Sequence, residues 1–281
     1  MPWTETDRVL YKPCAATYST SLTDAEFAHV EPLLPLPGTR GRLKHCFRTI
    51  LDAILYLVRS GIPWRLLPMD FPPFTSVQYW FYKWRDNGLL DQILCVLCMA
   101  LREAEGRAAA ATVVLVDSQS VKSTQTGSMP GFDAGKKIKG RKRHLAVDTL
   151  GLPIVLQVTP ADVQDRDQLA SILAEVHKRN PWVGTAFVDG GYNGDEALRA
   201  AFEASKIHCN VVKRSDKQLP GFVVLPMRWI VERTLGWVNY ARRLSKDFEK
   251  TLESARAWLQ IALIAIVLRR LARTTKAADQ P

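Results

Sequence analysis

The sequence predicts two unlike halves: an all-α segment over residues 21–105 and a mixed α/β domain over 112–281, with a tail at 1–20 and a linker at 106–111. Three observations carry this. Apolar residues recur at helical spacing as far as Glu105. From Thr112 the pattern changes to short β-branched runs alternating with helical stretches. A composition of 47% hydrophobic and 23% charged residues belongs to a packed globular chain rather than a disordered one.

Each element follows from local signals. Ser21 to Asp24 offers capping residues ahead of AEFAHVEPLL, and Gly38 to Gly41 breaks that helix. LKHCFRTILDAILYLVRS (43–60) is helical up to Gly61-Ile-Pro63, and a proline-rich loop comes after it. Thr75 to Arg85 and Leu89 to Glu105 are two further helices, separated by Asn87-Gly88. In the second half, Thr112 to Val116 is a strand ending at Asp117. KRHLAVD (142–148) and PIVLQVT (153–159) form a hairpin around Gly151. Then come a helix (165–180), a strand (185–188), a helix (194–204), a strand (207–213) and two closing helices, about 227–244 and 252–273. Strand, hairpin, helix, strand, helix, strand, helix, helix is the element order of a ribonuclease H-like fold.

A net charge of +10 and a pI near 9.5 favour a polyanionic partner, nucleic acid before an anionic membrane. The N-terminal residues have no apolar signal core. The longest apolar stretch, Ala257 to Leu268, is interrupted by Gln260 and too short to span a bilayer, so a buried core helix is expected there. Five scattered cysteines suit a reducing compartment, and Cys95-x-x-Cys98, with no second pair, reads as core packing rather than zinc.

The acids carry the chemistry. In FVDGGYNGDEAL (187–198) an apolar run ends in Asp189 and two glycines, which permit a tight turn. Asp189 either caps the next helix or holds a metal. In a ribonuclease H-like sheet the first and fourth strands are neighbours, which puts Asp117 beside Asp189. Two such carboxylates repel unless a divalent cation lies between them, and Mg²⁺ suits the pair. RWIVERTLGW (228–237) supplies a third acid, Glu232, with Arg228 one turn before it. The other acids have local explanations: Asp148 makes a turn, Asp162, Asp165 and Asp167 cap a helix, and Asp195 and Glu196 favour a helix dipole. Gly131 to Lys136 lacks the spacing and the Ser or Thr of a phosphate loop.

VDSQSVK (116–122), GFDAGKKIKGRKRHLAVDTLGLP (131–153), FVDGGYNG (187–194) and RWIVERTLGWVNYARRLSKDFE (228–249) together resemble the DDE transposases of bacterial insertion sequences, in the insertion sequence four and five superfamily. SGIPWRLLP and VQYWFYKWRDNG are similar to the leading domain of its five-type branch. The resemblance covers nearly everything past residue 20. It implies Asp117, Asp189 and Glu232 as the catalytic, metal-holding triad with Arg228 beside them. Asp117 would bridge two Mg²⁺ ions, for which Mn²⁺ substitutes. The activity implied is cleavage of element ends and strand transfer into target DNA by a homodimer or larger assembly at the bacterial nucleoid. The family's Tyr three residues before the Arg and Lys seven after the Glu are replaced here by Leu225 and Asn239. A catalytically idle DNA-binding regulator and a nuclease without strand transfer are the alternatives.

Two cationic sets are expected at double-stranded DNA. KKIKGRKR (136–143), containing Lys136, Lys137, Lys139, Arg141, Lys142 and Arg143, is expected to clamp backbone phosphates. Arg242, Arg243 and Lys246 belong to a second basic segment, and if the helix of Glu232 continues that far, Arg243 and Lys246 share its face. Gln78, Tyr82 and Arg85, spaced by four and three, share the helix face expected to read the terminal inverted repeats.

Overall fold

The structure, a computed structural model, describes residues 18–35, 45–124, 130–212 and 227–278. The N-terminal half contributes α1 (Asp24–Val30), α2 (Phe47–Ser60), α3 (Phe74–Asp86) and α4 (Leu89–Ala104). Thr23 and Glu26 close a capping box on α1: the Glu26 amide donates to Thr23 Oγ1 at 3.2 Å and the Thr23 amide to Glu26 Oε2 at 2.8 Å. Gly61, at φ 75°, ends α2 in the left-handed region, where a side chain is penalised.

The second half contributes β1 (Val113–Lys122), β2 (Gly131–Asp133), β3 (Ile138–Val147), β4 (Pro153–Pro160), α5 (Asp165–Arg179), β5 (Thr185–Asp189), α6 (Asp195–Ser205), β6 (His208–Val212), α7 (Arg228–Asn239) and α8 (Leu252–Ala278). β1 is central, antiparallel to β3 and parallel to β5, and β6 lies parallel outside β5. β2 and β4 share the far edge of β3 end to end. With helices on both faces this is the ribonuclease H-like arrangement, and only the short β2 is an addition to the strands read from the sequence.

Alternation along the strands divides the core. Leu115, Leu145 and Val147 face α7, α8 and the N-terminal helices, whereas Val114, Val116 and Ala146 face α5 and α6. The first of these cores is continuous from α1 to α8. The composition break at residues 106–111 therefore separates two segments that share one interior. As expected of the apolar run, Ala257, Trp258, Leu259, Ile261, Ile264 and Leu268 are at most 1% exposed.

Two expectations about element ends are corrected. β1 does not stop at Asp117, because its ladder with β3 continues to Lys122↔Gly140 after β5 has ended. The helix of Glu232 stops at Asn239; Ala241 is extended and Arg242–Leu244 form a separate 3₁₀ turn. Arg243 and Lys246 therefore do not share its face.

Candidate active site

The β1–β5 register pairs Leu115 with Phe187 and Val116 with Val188, so the next residues, Asp117 and Asp189, emerge side by side. Asp117 sits where β1 outruns its parallel neighbour, and its Oδ1 accepts the Ser118 amide at 2.7 Å. Asp189 ends β5 and caps the 3₁₀ turn Gly190–Tyr192, its Oδ1 accepting the Gly191 amide at 2.9 Å. The capping and metal readings of Asp189 are thus compatible, since one oxygen caps and the other faces Arg228. Neither Gly190 nor Gly191 has a positive φ. Gly191 is small because the acid is close: a Cβ there would lie 3.0 Å from Asp189 Oδ1.

α7 packs on the same side of β1 through Ile230, Val231 and Leu235 and brings Glu232 to this edge. Arg228 bridges the acids, with Nη2 3.1 Å from Glu232 Oε1 and 3.7 Å from Asp189 Oδ2. Burial lifts the Asp117 carboxyl to about 6, and the like charge of Asp189 adds to this. The Ser118 amide, Arg228 and Lys136 oppose the rise. An acid pair of this kind favours a cation.

The donor set is carboxylate oxygen alone, which fits a hard divalent ion such as Mg²⁺. Among the described residues no three His, Cys, Asp or Glu side chains are already drawn together as a metal nest. Asp117 and Asp189 are adjacent across the β1–β5 register, whereas Glu232, 54% exposed, is paired with Arg228.

The cations divide sharply. Lys136, Lys137 and Lys139 are exposed, the first two at the tip of the β2–β3 hairpin, where Asp133 Oδ1 accepts the Lys136 amide at 3.0 Å. Arg141, Lys142 and Arg143 are buried and do not face DNA, because KKIKGRKR runs into β3 and alternates between the two covered faces. Arg141 pairs with Asp247 at 2.9 Å and donates to the Thr251 and Lys250 carbonyls. Lys142 lies 3.1 Å from Asp165 and donates to the Val163 carbonyl at 2.8 Å. Burial pulls the Arg143 guanidinium down to about 10.

In the second basic segment, Arg242 and Lys246 are exposed. Arg243 is buried: it donates to Glu249 at 2.7 Å and to the Ile62 carbonyl at 3.1 Å, and stacks 4.2 Å over Trp258. Gln78, Tyr82 and Arg85 do share a face, with Gln78 Nε2 3.4 Å from Tyr82 Oη and Arg85 4.6 Å over the Tyr82 ring. That face is partly covered: Gln78, Tyr82 and Arg85 are half-buried, and Arg85 Nη1 donates to Ser254 of α8 at 2.7 Å. Tyr79 and Lys83 form the outward side of α3. Cys98 is buried as expected, but Cys95 is exposed. Asn239 is exposed at the end of α7; Leu225 lies outside the described residues.

Two rival acids are more than local caps. Asp148 makes its turn, accepting the Leu150 and Leu152 amides at 2.9 and 2.8 Å, and is also the buried ion-pair partner of Arg102. Asp165 does not cap α5; the N-cap is Gln164, without a side-chain bond. Its Oδ1 instead accepts Ser118 Oγ at 2.8 Å, next to Asp117 in the chain. Tyr192 is fully buried, and burial first, then the negative charges of Asp165, Asp117 and Asp189, push its phenol well above the ordinary range. Capping is the ordinary explanation of an Asp at a helix start, which hides Asp165; a third Asp within six residues is the available signal.

Comparison with known proteins agrees with this geometry. A family model described as "Transposase DDE domain" matches residues 108–268, and one described as "Putative transposase of IS4/5 family" matches residues 22–94. The chain is 27% identical over 173 residues to the "Putative transposase for insertion sequence element IS402" of Burkholderia cepacia, spanning 59% of this chain and 77% of that protein. It is 35% identical over 86 residues to the uncharacterized protein y4sN of Sinorhizobium fredii, spanning 30% of this chain and 66% of that one. A 16.2 kDa uncharacterized protein of the same Burkholderia element is 31% identical over 121 residues, 39% of this chain and 78% of its own length.

Proposed function

This chain belongs to the transposase DDE domain family, with the function of an insertion-sequence transposase, and on that premise we propose that Asp117, Asp189 and Glu232 hold two divalent cations, Mg²⁺ or Mn²⁺ in its place, for DNA strand cleavage and strand transfer. The observation that carries the reading is the register placing Asp117 beside Asp189, with Arg228 linking Asp189 to Glu232. Divalent cations at such a site activate a water or 3′-hydroxyl and stabilise the leaving oxygen.

The protein's own residues orient and exchange charge. Asp117, whose charge is made costly by burial and by the neighbouring Asp189, would hold the cation as a carboxylate. Arg228 links Asp189 and Glu232, and its guanidinium would be available to a DNA phosphate once those carboxylates are neutralised. Lys136, close enough to act electrostatically on Asp117, guides the backbone toward the acids with Lys137 and Lys139. Arg242 and Lys246 extend the cationic surface. The helical half reads the terminal inverted repeats through an outward surface such as Tyr79 and Lys83, and two chains or more hold the paired ends. The place of action is the DNA of the bacterial nucleoid; no described helix is long and apolar enough to cross a membrane.

The test is cleavage of a labelled end-containing duplex, followed by joining of a 3′-hydroxyl donor to target DNA. Asp189→Asn, with Asp167→Asn as an exposed control, should lose several orders of magnitude in both steps and still bind the end. Near wild-type cleavage by Asp189→Asn would overturn the triad. Cleavage without joining by the unaltered protein would indicate a nuclease, and binding without either step an idle regulator.

A further inference from the structure

We propose that Asp165 and Tyr192 are positioning residues of the acidic site, fixing Asp189 and Asp117 from the α5 side of the sheet. The proposal rests on the triad reading above and adds two residues to it.

Asp165 is held rigidly. Its Oδ1 accepts Ser118 Oγ at 2.8 Å and lies 3.1 Å from Lys142 Nζ. That ammonium is anchored in turn by the Val163 carbonyl at 2.8 Å and by Asp133 at 3.8 Å. The other oxygen is turned toward Asp189: a Cβ on Gly191 would lie 3.8 Å from Asp165 Oδ2 and 3.0 Å from Asp189 Oδ1, so both carboxylates flank one spot.

Tyr192 supplies what this spot lacks. Its side chain is 0% exposed, and its hydroxyl, beside Ser118, has no hydrogen bond of normal geometry. The carboxylates acting on it are Asp165, Asp117 and Asp189. A buried hydroxyl without a partner is costly, and among carboxylates a phenol acts as a donor. Near these like charges, that donor is available to the acid that turns toward it, where it would set that acid's rotamer and lower the repulsion that cation binding has to overcome. Partners of metal-binding side chains act in this way in other sites.

The experiment is a Mn²⁺ titration of Tyr192→Phe, followed by thermal unfolding and, separately, by end cleavage. The substitution removes one unpartnered oxygen, so the metal-free melting temperature should stay near wild type. The Mn²⁺ concentration giving half the stabilisation should rise roughly tenfold or more, with cleavage partly recovered at saturating Mn²⁺. Asp165→Asn provides an independent second variant and should shift the titration in the same direction. A Mn²⁺ midpoint equal to wild type in either folded variant overturns the proposal. If Asp189→Asn is inactive while Tyr192→Phe binds Mn²⁺ normally, the positioning claim alone fails. If Asp189→Asn cuts normally, the triad reading itself has failed.

Discussion

Two clusters of charge on the same sheet are built in opposite ways. At the β1–β5 edge one guanidinium, Arg228, is shared loosely between Glu232 at 3.1 Å and Asp189 at 3.7 Å, with Asp117 next to Asp189 across the register. Along β3, Arg141 is sealed against Asp247, and Lys142, also buried, reaches from the next position to Asp165 and Asp133. The first cluster has more carboxylates than cations, whereas the Arg141–Asp247 pair is balanced and dry, its side chains 1% and 3% exposed. Charge left uncompensated at an accessible edge marks chemistry; charge matched and buried holds the scaffold.

The largest expected effect separates the two clusters outright. Arg141→Met leaves Asp247 buried without its cation and should cost about 3–5 kcal/mol of stability, measured by denaturant unfolding. Loss of under about 1 kcal/mol would mean that the pair is dispensable. Asp148→Asn, which breaks the pair with Arg102 and weakens the turn, should cost about 1–3 kcal/mol by the same assay.

A pH effect comes next. Burial holds the His144 imidazole down at about 4, with Asp165 raising it and Lys142 and Lys136 lowering it. Below the unfolded value of about 6.5 the unfolded chain takes a proton that the native one refuses. The stability His144 contributes is therefore complete above about pH 6.5 and is lost progressively down to about 4. At pH 5.5 the loss should be about 1 kcal/mol relative to His144→Gln, read from parallel unfolding curves. A difference independent of pH would show the imidazole to be solvated.

The smallest effect on stability belongs to Lys136, Lys137 and Lys139. Changing all three to Ala should alter stability by less than about 0.5 kcal/mol. It should weaken binding to every DNA sequence alike and make the salt dependence shallower by about 0.9 for each phosphate no longer neutralised. Weakening confined to element ends would instead make these lysines sequence readers.

The contrast between the clusters also explains what the sequence could reveal. Strand order and the Asp117–Asp189 pairing are legible because apolar periodicity is local and parallel neighbours follow from topology. KKIKGRKR conceals its burial because consecutive cations mask the two-residue period, and because Asp247, Asp165 and Asp133 approach β3 only in the folded chain. Arg85 reads as an outward residue because its partner Ser254 lies 169 residues away. No glycine or proline directly follows Asn239 to announce the end of α7, and beyond it Arg243 is drawn inward by Glu249 and Trp258. Tyr192 and Asp165 are hidden behind a turn and a helix start, each of which already has an ordinary explanation.

The most direct measurement compares Asp117→Asn with wild type in both properties at once. Asp117 ionises at about 6 in the folded chain against about 4 unfolded, so in that window the native state holds the extra proton and stability falls as pH rises. At pH 8 without metal, the charge is a cost that Asn does not carry. Asp117→Asn should therefore melt at or above the wild-type temperature at pH 8, with the advantage disappearing below about pH 4. In Mg²⁺ its cleavage of an end-containing duplex should fall by several orders of magnitude. A lower melting temperature at pH 8 together with near wild-type cleavage would place Asp117 among the scaffold charges and contradict the account.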